Sequence, residues 1–416
     1  MSTSSEPAQT SADRAEAVRA FYESHPYPAP VTSFEKRLDR FRDPRRRRAQ
    51  SLLLWPLEQP RADRKILVAG CGTSQAARYA LSEPDARVTA IDISETSLSH
   101  TRDLQHKHDI CNLRLERLAI EEVGKLGETF DQIVCTGVLH HLSDPDSGLS
   151  SLRNVLDDNG AMHVMVYAPY GRAGIAMIQD YCRLLGVGVR DEELRDLGAT
   201  IQALAPDHPI AGVLKRAKDF AKPDALADAL LNPQERAYSV PQLHDWLDRC
   251  GLRFGRWHEQ APYLPQCGAI ARTAHAARLA ALPERARHAA MELLRGTMDR
   301  HSFVAYRDDR ALEAQPIAFE GDAWLDFVPL RLPWTLTVKD RAPCGVAAVL
   351  INPTHIYPDL AFFIDAAQER VLKAIDGERS VGEILSSAGM NDEACRQFFK
   401  RLWEHDLVVF DAKRTL

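Results

Sequence analysis

The sequence has no hydrophobic run long enough to cross a bilayer, and its first residues, MSTSSEPAQTSADRAE, lack the apolar core of a signal peptide. We therefore expect a cytoplasmic protein with no membrane association. Net positive charge is also missing, because the formal charge is -6 at pH 7. Four consecutive arginines, Arg45 to Arg48, are not continued by a basic face, so we expect a solvated helix start and no nucleic-acid partner.

Metal-ligand spacing is absent as well. The eight cysteines of the 416 residues are scattered, and no two of them stand at the separation that a zinc site requires. His100, His106 and His108 share no ligand face on the helix predicted there. We expect reduced thiols and no metal.

The most informative stretch is KILVAGCGT, from Lys65 to Thr73. Its apolar run predicts a strand buried on both faces of a parallel sheet. Gly70 and Gly72 then allow a tight turn and leave room for a ligand against the backbone, and a helix-forming segment follows. Asp92 ends the next apolar strand, at the distance expected for an acid that accepts hydrogen bonds from ribose hydroxyls.

A third motif distinguishes a sulfonium cofactor from a dinucleotide. TFDQIVCTGVLHHL, from Thr129 to Leu142, predicts a buried strand that ends in an apolar turn with paired histidines. Together with VAGCGT and the acid at Asp92, it resembles the class I S-adenosylmethionine-dependent methyltransferases over roughly residues 64–166.

The resemblance implies S-adenosylmethionine as cofactor and a set of cofactor-binding positions. This family often has an acid or amide near the adenine, but the corresponding positions here are Leu118 and Ala119. Glu121 or Glu122 is an alternative for that contact. The positions implied are Ala69, Gly70, Cys71, Gly72, Asp92, Ile93, Leu118, Ala119, Thr136, Gly137 and His141.

The alternation of strands and helices predicts an α/β fold with a doubly wound, Rossmann-like sheet. We expect an N-terminal arm over 1–60, a methyltransferase domain over 61–274 whose last strand lies in PYLPQCGAIARTA, and a helical insertion at about 172–236. This insertion is either a cap over the acceptor or a decoration on the sheet edge.

The remaining segment, 275–416, predicts a second domain, α+β and winged-helix-like. Strand signals are followed by three helical patterns and a closing strand, LVVFDA. The segment resembles the regulatory region of bacterial methyltransferases, some of which act on protein lysines. Peptide binding or dimerisation is expected of it, and a homodimer is possible.

Candidate catalytic residues are few, because methyl transfer needs mainly alignment and exclusion of water. His140 and His141 are candidates for a base beside the methyl group, although such histidines often only hold their loop. Tyr22, Tyr27, Tyr167 and Tyr170 are candidates for orienting the acceptor, and Tyr238 is a weaker one. The segment around Tyr22 and Tyr27 is either a lid or an ordinary packed arm.

Two classes of function follow from these motifs. The first is an enzyme that methylates an N or O nucleophile of a small molecule or a peptide. The second is a regulator that binds S-adenosylmethionine without catalysis and uses its C-terminal domain to bind a partner. The presence of all three motifs in one sequence favours the enzyme.

Overall fold

The computed structural model describes residues 11–57, 63–216, 222–310, 317–388 and 391–413. Its helices, in chain order, are α1 (Ser11–Ser24), α2 (Leu38–Arg42), α3 (Pro44–Leu54), α4 (Gln75–Ser82), α5 (Glu95–Lys107), α6 (Pro145–Asn154), α7 (Ala173–Leu185), α8 (Asp191–Gln202), α9 (Ala211–Arg216), α10 (Pro223–Leu231), α11 (Val240–Arg249), α12 (Ala276–Ala280), α13 (Glu284–Arg295), α14 (Ala366–Ala374), α15 (Val381–Ala388) and α16 (Asp392–Glu404). Its strands are β1 (Lys65–Ala69), β2 (Arg87–Asp92), β3 (Leu113–Arg117), β4 (Phe130–Thr136), β5 (Leu156–Tyr167), β6 (Leu252–Trp257), β7 (Arg300–Arg307), β8 (Val328–Arg331), β9 (Leu336–Val338), β10 (Ala348–Ile351), β11 (Phe362–Ile364) and β12 (Val408–Asp411).

A seven-stranded sheet in the order β3-β2-β1-β4-β5-β7-β6 organises the fold. Strands β1 to β5 run parallel, and β7 pairs antiparallel with β5. The apolar run Ile66–Ala69 in β1 is completely buried, as expected of a central strand covered by helices on both faces. The sheet confirms the predicted Rossmann-like α/β fold, and it brings the carboxyl ends of β1, β2, β4 and β5 to one edge.

The last antiparallel strand was predicted in the wrong segment. PYLPQCGAIARTA contains two short 3-10 turns, Ala261–Tyr263 and Gly268–Arg272, and β7 pairs with β5 instead. Two prolines and a glycine in that segment disfavour a strand, whereas RHSFVAYR contains Phe303, Val304 and Tyr306, residue types that are enriched in strands.

The described residues form two compact units. The first comprises those of 11–38, 63–253 and 296–308, and the second those of 39–57, 254–295 and 309–413. This division differs from the predicted boundary near Ala274, because the strand that pairs with β5 comes after that residue. Within the described ranges, no helix is both long and apolar enough to span a membrane.

The second unit has its own core. Helices α14, α15 and α16 pack around Phe362, Phe398, Phe399 and Phe410, and β12 pairs antiparallel with β8. Strands β9, β10 and β11 form a separate three-stranded sheet. Three helices and a closing strand are present where the sequence predicts them, and the resemblance to a winged helix stays a prediction.

Helices α7 to α10 occupy the segment between β5 and α11, and we call them the cap helices. They share a small apolar core that includes Ile178, Leu197, Ile210 and Leu226. The core explains why this insertion holds together although it contributes no strand. Because α10 packs against this core with its apolar side chains, the core also determines which side of α10 carries polar groups.

A pair of glycines tests this packing of the cap helices. A Cβ added at Gly174 in α7 would lie 2.3 Å from the Ile210 backbone nitrogen, whereas one added at Gly198 in α8 would have its nearest neighbour, Leu226 Cδ2, at 3.9 Å. We expect Gly174→Ala to destabilise the protein by about 1–3 kcal/mol through overpacking. Gly198→Ala is expected to stabilise it by roughly 0.5–1 kcal/mol, since alanine favours helix more than glycine does. Denaturant unfolding measures both, and equal effects of the two variants would contradict this packing.

Candidate functional site

The loop after β1 can be built only with glycine at two positions. Gly70 and Gly72 have φ angles of +67° and +54°, in the left-handed region that favours glycine. A Cβ at Gly70 would also lie 2.4 Å from a methyl carbon of Val138, which follows β4. The loop therefore passes close to the end of β4, and it leads into α4 at the same sheet edge.

Asp92 lies at the end of β2 and fixes this loop. The N–H of Gly72 donates to its Oδ2 at 2.8 Å, and the N–H of Ser94 donates to its Oδ1 at 2.9 Å. Burial raises the pKa of Asp92, while the hydrogen bonds from Ser94 and Gly72 act in the opposite direction. Each carboxylate oxygen retains further accepting capacity, so Asp92 can also receive hydroxyl groups of a ligand.

The N-terminal arm lies against the same loop. Thr73 Oγ1 donates to the carbonyl oxygen of Pro28 at 2.7 Å, and a Cβ at Gly72 would lie 3.0 Å from the carbonyl oxygen of Tyr27. Glu23 accepts hydrogen bonds from the backbone N–H groups of Glu95 and Thr96, at the start of α5. The arm thus contacts both the loop after β1 and the turn after β2.

The end of β4 brings the paired histidines into the interior. Gly137, with a φ angle of +82°, starts the turn, and the 3-10 turn Leu139–His141 follows. His140 and His141 are both buried, and their ring centroids are 4.2 Å apart. The ring centroid of Tyr167, at the end of β5, lies 3.9 Å from the ring centroid of His140.

The two histidines differ in their hydrogen bonds. His141 Nδ1 lies 2.7 Å from the carbonyl oxygen of Gln234, which can only accept, so Nδ1 carries a proton and Nε2 is the nitrogen left for a ligand. His140 has no hydrogen-bond partner for either ring nitrogen. Burial, reinforced by His141 and Arg172, holds the pKa of His140 well below its usual value, so this ring is neutral at pH 7.

The cap helix α10 adds a buried acid to this group. Tyr22 donates its hydroxyl to Asp228 Oδ1 at 2.9 Å, and Asn232 Nδ2 donates to the same hydroxyl oxygen at 3.0 Å. The Tyr22 ring centroid is 6.2 Å from that of His141. Asp228 is only 3% exposed, so the arm, the β4 turn and the cap helices meet around it.

A second acid beside it is paired with a cation. Arg172 Nη2 lies 2.8 Å from both carboxylate oxygens of Glu235, and its guanidinium carbon lies 3.5 Å from the centroid of the Tyr167 ring. Gln179 also donates to Glu235. We call the residues Tyr22, His140, His141, Tyr167, Arg172, Asp228 and Glu235 the buried polar cluster.

Titration of Asp228 gives a testable pH dependence. Burial raises its pKa, with Glu235 acting in the same direction, while His141, the Tyr22 hydroxyl and Arg172 oppose the shift. A raised pKa in the folded protein means that this contribution to stability is complete below the unfolded value of about 3.9 and is lost as pH rises through the folded value. We expect Asp228→Asn to gain stability relative to wild type as pH rises above that unfolded value. Unfolding at several pH values measures the gap, and a gap that does not change with pH would contradict the assignment.

The structure brings together some predicted site residues and leaves others apart. Gly70, Gly72, Asp92 and Thr136 lie at one sheet edge, where Thr136 Oγ1 accepts from Gln75. The other predicted cofactor positions lie along that edge: Ala69 pairs with Ile91, Cys71 donates its N–H to Ile91, Leu118 donates its N–H to the Asp92 carbonyl, and Ile93 and Ala119 follow β2 and β3.

Of the predicted acceptor residues, Tyr22 joins the buried polar cluster, but Tyr170 is 42% exposed and Tyr27 is 36% exposed. Asp228, Arg172 and Glu235 were not predicted from the sequence. An acid inside the apolar helix ALADALL was a signal that could have identified Asp228. The ion pair joins residues 63 positions apart, and no local pattern predicts it.

The comparisons with known proteins concern the family and the fold. Residues 67–162 match a family model described as a methyltransferase domain. The match confirms that these residues belong to a methyltransferase domain, a type that uses S-adenosylmethionine as cofactor.

Curated relatives cover only part of the chain. An uncharacterized protein from Synechococcus sp. is 36% identical over 198 residues, which are 46% of this chain and 47% of that protein. A malonyl-[acyl-carrier protein] O-methyltransferase from Paenibacillus sp. is 29% identical over 109 residues, 25% of this chain and 39% of that protein. The chain thus matches less than half the length of these relatives.

Solved structures extend the likeness in fold. PKMT2 from Rickettsia typhi has a TM-score of 0.64 at 17% identity, over 89% of this chain and 75% of that chain. That protein has also been solved in complex with AdoHcy, with a TM-score of 0.61. At this identity the likeness shows a shared fold.

Proposed function

We propose that this chain, which contains a methyltransferase domain on a class I fold, transfers the methyl group of S-adenosylmethionine to an N or O nucleophile of a small molecule or peptide. One observation carries the proposal: Asp92 and the loop after β1 lie at the sheet edge where the buried polar cluster is also found. A donor site and a site with proton-handling groups are thus side by side.

The residues present fit the cofactor. Gly70 and Gly72 hold the loop in a left-handed backbone conformation, and a Cβ at either position would meet neighbouring protein atoms, so only glycine fits the turn that leads past Asp92. Asp92 would accept hydrogen bonds from the ribose hydroxyls, and the backbone at Leu118 and Ala119 would lie along the adenine. Cys71 is buried, and burial raises the pKa of its thiol well above the usual value, so it serves packing rather than chemistry.

The chemistry required of the chain is modest. When bound, the cofactor supplies an activated methyl group that a nucleophile can displace in line. The buried polar cluster would orient that nucleophile and keep water out, which allows alignment to lower the barrier. If the acceptor must lose a proton, His141 Nε2 is the candidate to take it, because Nδ1 is already engaged with Gln234, whereas the lowered pKa of His140 makes that ring a weak base. The arm around Tyr22 is proposed to act as the lid over both sites.

The proposal is tested by incubating the protein with S-adenosylmethionine and fractions of small metabolites and peptides, with S-adenosylhomocysteine formation as the readout. Wild type should form this product above the level of a His141→Phe variant, because phenylalanine keeps an aromatic ring but removes both ring nitrogens, Nε2 and the Nδ1 that donates to Gln234. Binding of S-adenosylmethionine with no turnover over any fraction would instead favour the non-catalytic regulator. As part of the same proposal, the C-terminal unit binds a peptide or forms a dimer.

A further inference from the structure

The buried polar cluster holds two carboxylates, Asp228 and Glu235, and one arginine, Arg172. Arg172 places its guanidinium on both oxygens of Glu235, which accounts for that pair. Asp228 has a different neighbour, the neutral hydroxyl of Tyr22, and His140 is neutral. His141 and Arg172 also act on Asp228, but among the described residues no basic side chain forms an ion pair with it. Burying a carboxylate without a directly paired cation is costly, so an acid kept in this position suits a positively charged ligand.

A second, independent observation indicates a ligand at the same place. His140 is completely buried, yet neither of its ring nitrogens has a hydrogen-bond partner. Buried polar atoms in proteins are almost always paired, so an unpaired imidazole beside Tyr167 and His141 leaves hydrogen-bonding capacity for a bound molecule. A neutral ring can accept an N–H from that molecule.

The aromatic rings around Asp228 suit a small organic cation. Tyr22, Tyr167 and His141 lie close to one another, with ring centroids 5.7 Å apart for His141 and Tyr167. Tyrosine faces attract cations, and Arg172 already lies over Tyr167 in this way. An anionic acceptor would face Asp228 and Glu235 and would be repelled.

From this geometry we infer that the methyl acceptor is an amine, which enters as its ammonium ion and is held by Asp228 together with the aromatic rings of the buried polar cluster. This inference rests on the proposed function and narrows its acceptor from N or O nucleophiles to nitrogen. Asp228 and Tyr22 would then touch the reacting group directly.

The proton balance of the step is simple. Asp228, as carboxylate, takes one proton from the ammonium and leaves a neutral amine with a lone pair. The amine nitrogen then forms its bond to the methyl carbon as the carbon–sulfur bond breaks, and that electron pair stays on sulfur. The product is a methylated ammonium ion and a thioether, and Asp228 afterwards releases its proton to solvent. The raised pKa of Asp228 suits this role, with Tyr22, His141, Arg172 and Glu235 facing it.

The test uses three probes of equal length, n-butylammonium, n-butanol and butyrate, with the full chain saturated with S-adenosylhomocysteine. Titration calorimetry at pH 7 gives the Kd of each. We expect wild type to bind n-butylammonium about tenfold or more tightly than n-butanol, as a hydrogen bond to a charged group predicts. Asp228→Asn should lose that preference. A wild type that binds n-butanol or butyrate at least as tightly, or binds none of the three, would overturn the inference.

A matched control lies one turn earlier on α10. Asp224→Asn makes the same change of charge, but Asp224 is 37% exposed in its side chain and contacts His25 outside the cluster. It should keep the wild-type preference for n-butylammonium, and an equal loss in both variants would contradict the inference. Failure of S-adenosylhomocysteine to bind at all counts against the proposed function. Normal binding of S-adenosylhomocysteine without a preference for n-butylammonium counts only against the inference that the acceptor is an amine.

Discussion

Replacing Asp92 with alanine is expected to weaken binding of S-adenosylmethionine by about 100-fold or more, since hydrogen bonds to a charged group contribute roughly 1.5–3 kcal/mol each. The substitution removes the oxygens that would receive the ribose hydroxyls. It also frees the N–H groups of Gly72 and Ser94, which now donate to Asp92 at 2.8 and 2.9 Å, so the loop loses its fixed position. Calorimetric titration of both proteins with the cofactor measures the change.

The control for this variant is Asp131→Ala. Asp131 is also an acid in the central sheet, and it accepts a hydrogen bond from the Lys65 N–H at 2.8 Å, at the start of β1. This contact is at the opposite edge from the carboxyl ends of the strands. Asp131→Ala should lower stability and leave the affinity for the cofactor within about twofold, the usual limit for a site without direct contacts. Similar losses of affinity in both variants would show that Asp92 acts only through stability.

Replacing Arg172 with methionine is expected to destabilise the protein by about 3–5 kcal/mol, because it removes one partner of a buried ion pair. Arg172 is 8% exposed and contacts both oxygens of Glu235. Without it, Glu235 and Asp228 remain near each other with no cation between them. Denaturant unfolding gives the difference in stability directly.

Arg183→Met is the comparison for that change. Arg183 lies on α7 and pairs with Asp180, but both side chains are more than two-thirds exposed. Exposed ion pairs contribute only about 0–1 kcal/mol, so Arg183→Met should have little effect. If Arg172→Met cost no more than Arg183→Met, the ion pair with Glu235 would not support the buried polar cluster as described here.

The sequence predicted the sheet and the loop after β1 well for a physical reason. Buried parallel strands need continuous apolar runs, and a tight loop with positive φ angles needs glycine, so KILVAGCGT specifies both locally. Asp92 could be predicted because the end of an apolar strand is recognisable in the sequence and Asp92 is the acid at that end. Thr136 and the paired histidines follow from β4 by the same argument.

The residues on the acceptor side of the site could be predicted less well from the sequence. Asp228, Asn232 and Tyr22 meet only after the cap helices and the N-terminal arm have packed, and contacts between residues 206 and 210 positions apart leave no periodic pattern. Tyr170 was assigned a role because it follows β5, but position along the chain does not determine side-chain exposure. The strand β7 was misplaced for a related reason, since pairing with β5 is a tertiary choice between two segments.

The central claim is that the loop after β1 and Asp92 bind the methyl donor, and titration calorimetry of the wild-type protein with S-adenosylmethionine and S-adenosylhomocysteine tests it most directly. We expect one site per chain for both molecules, with micromolar dissociation constants. Absence of binding by both, in a protein that unfolds cooperatively and is therefore folded, would contradict it.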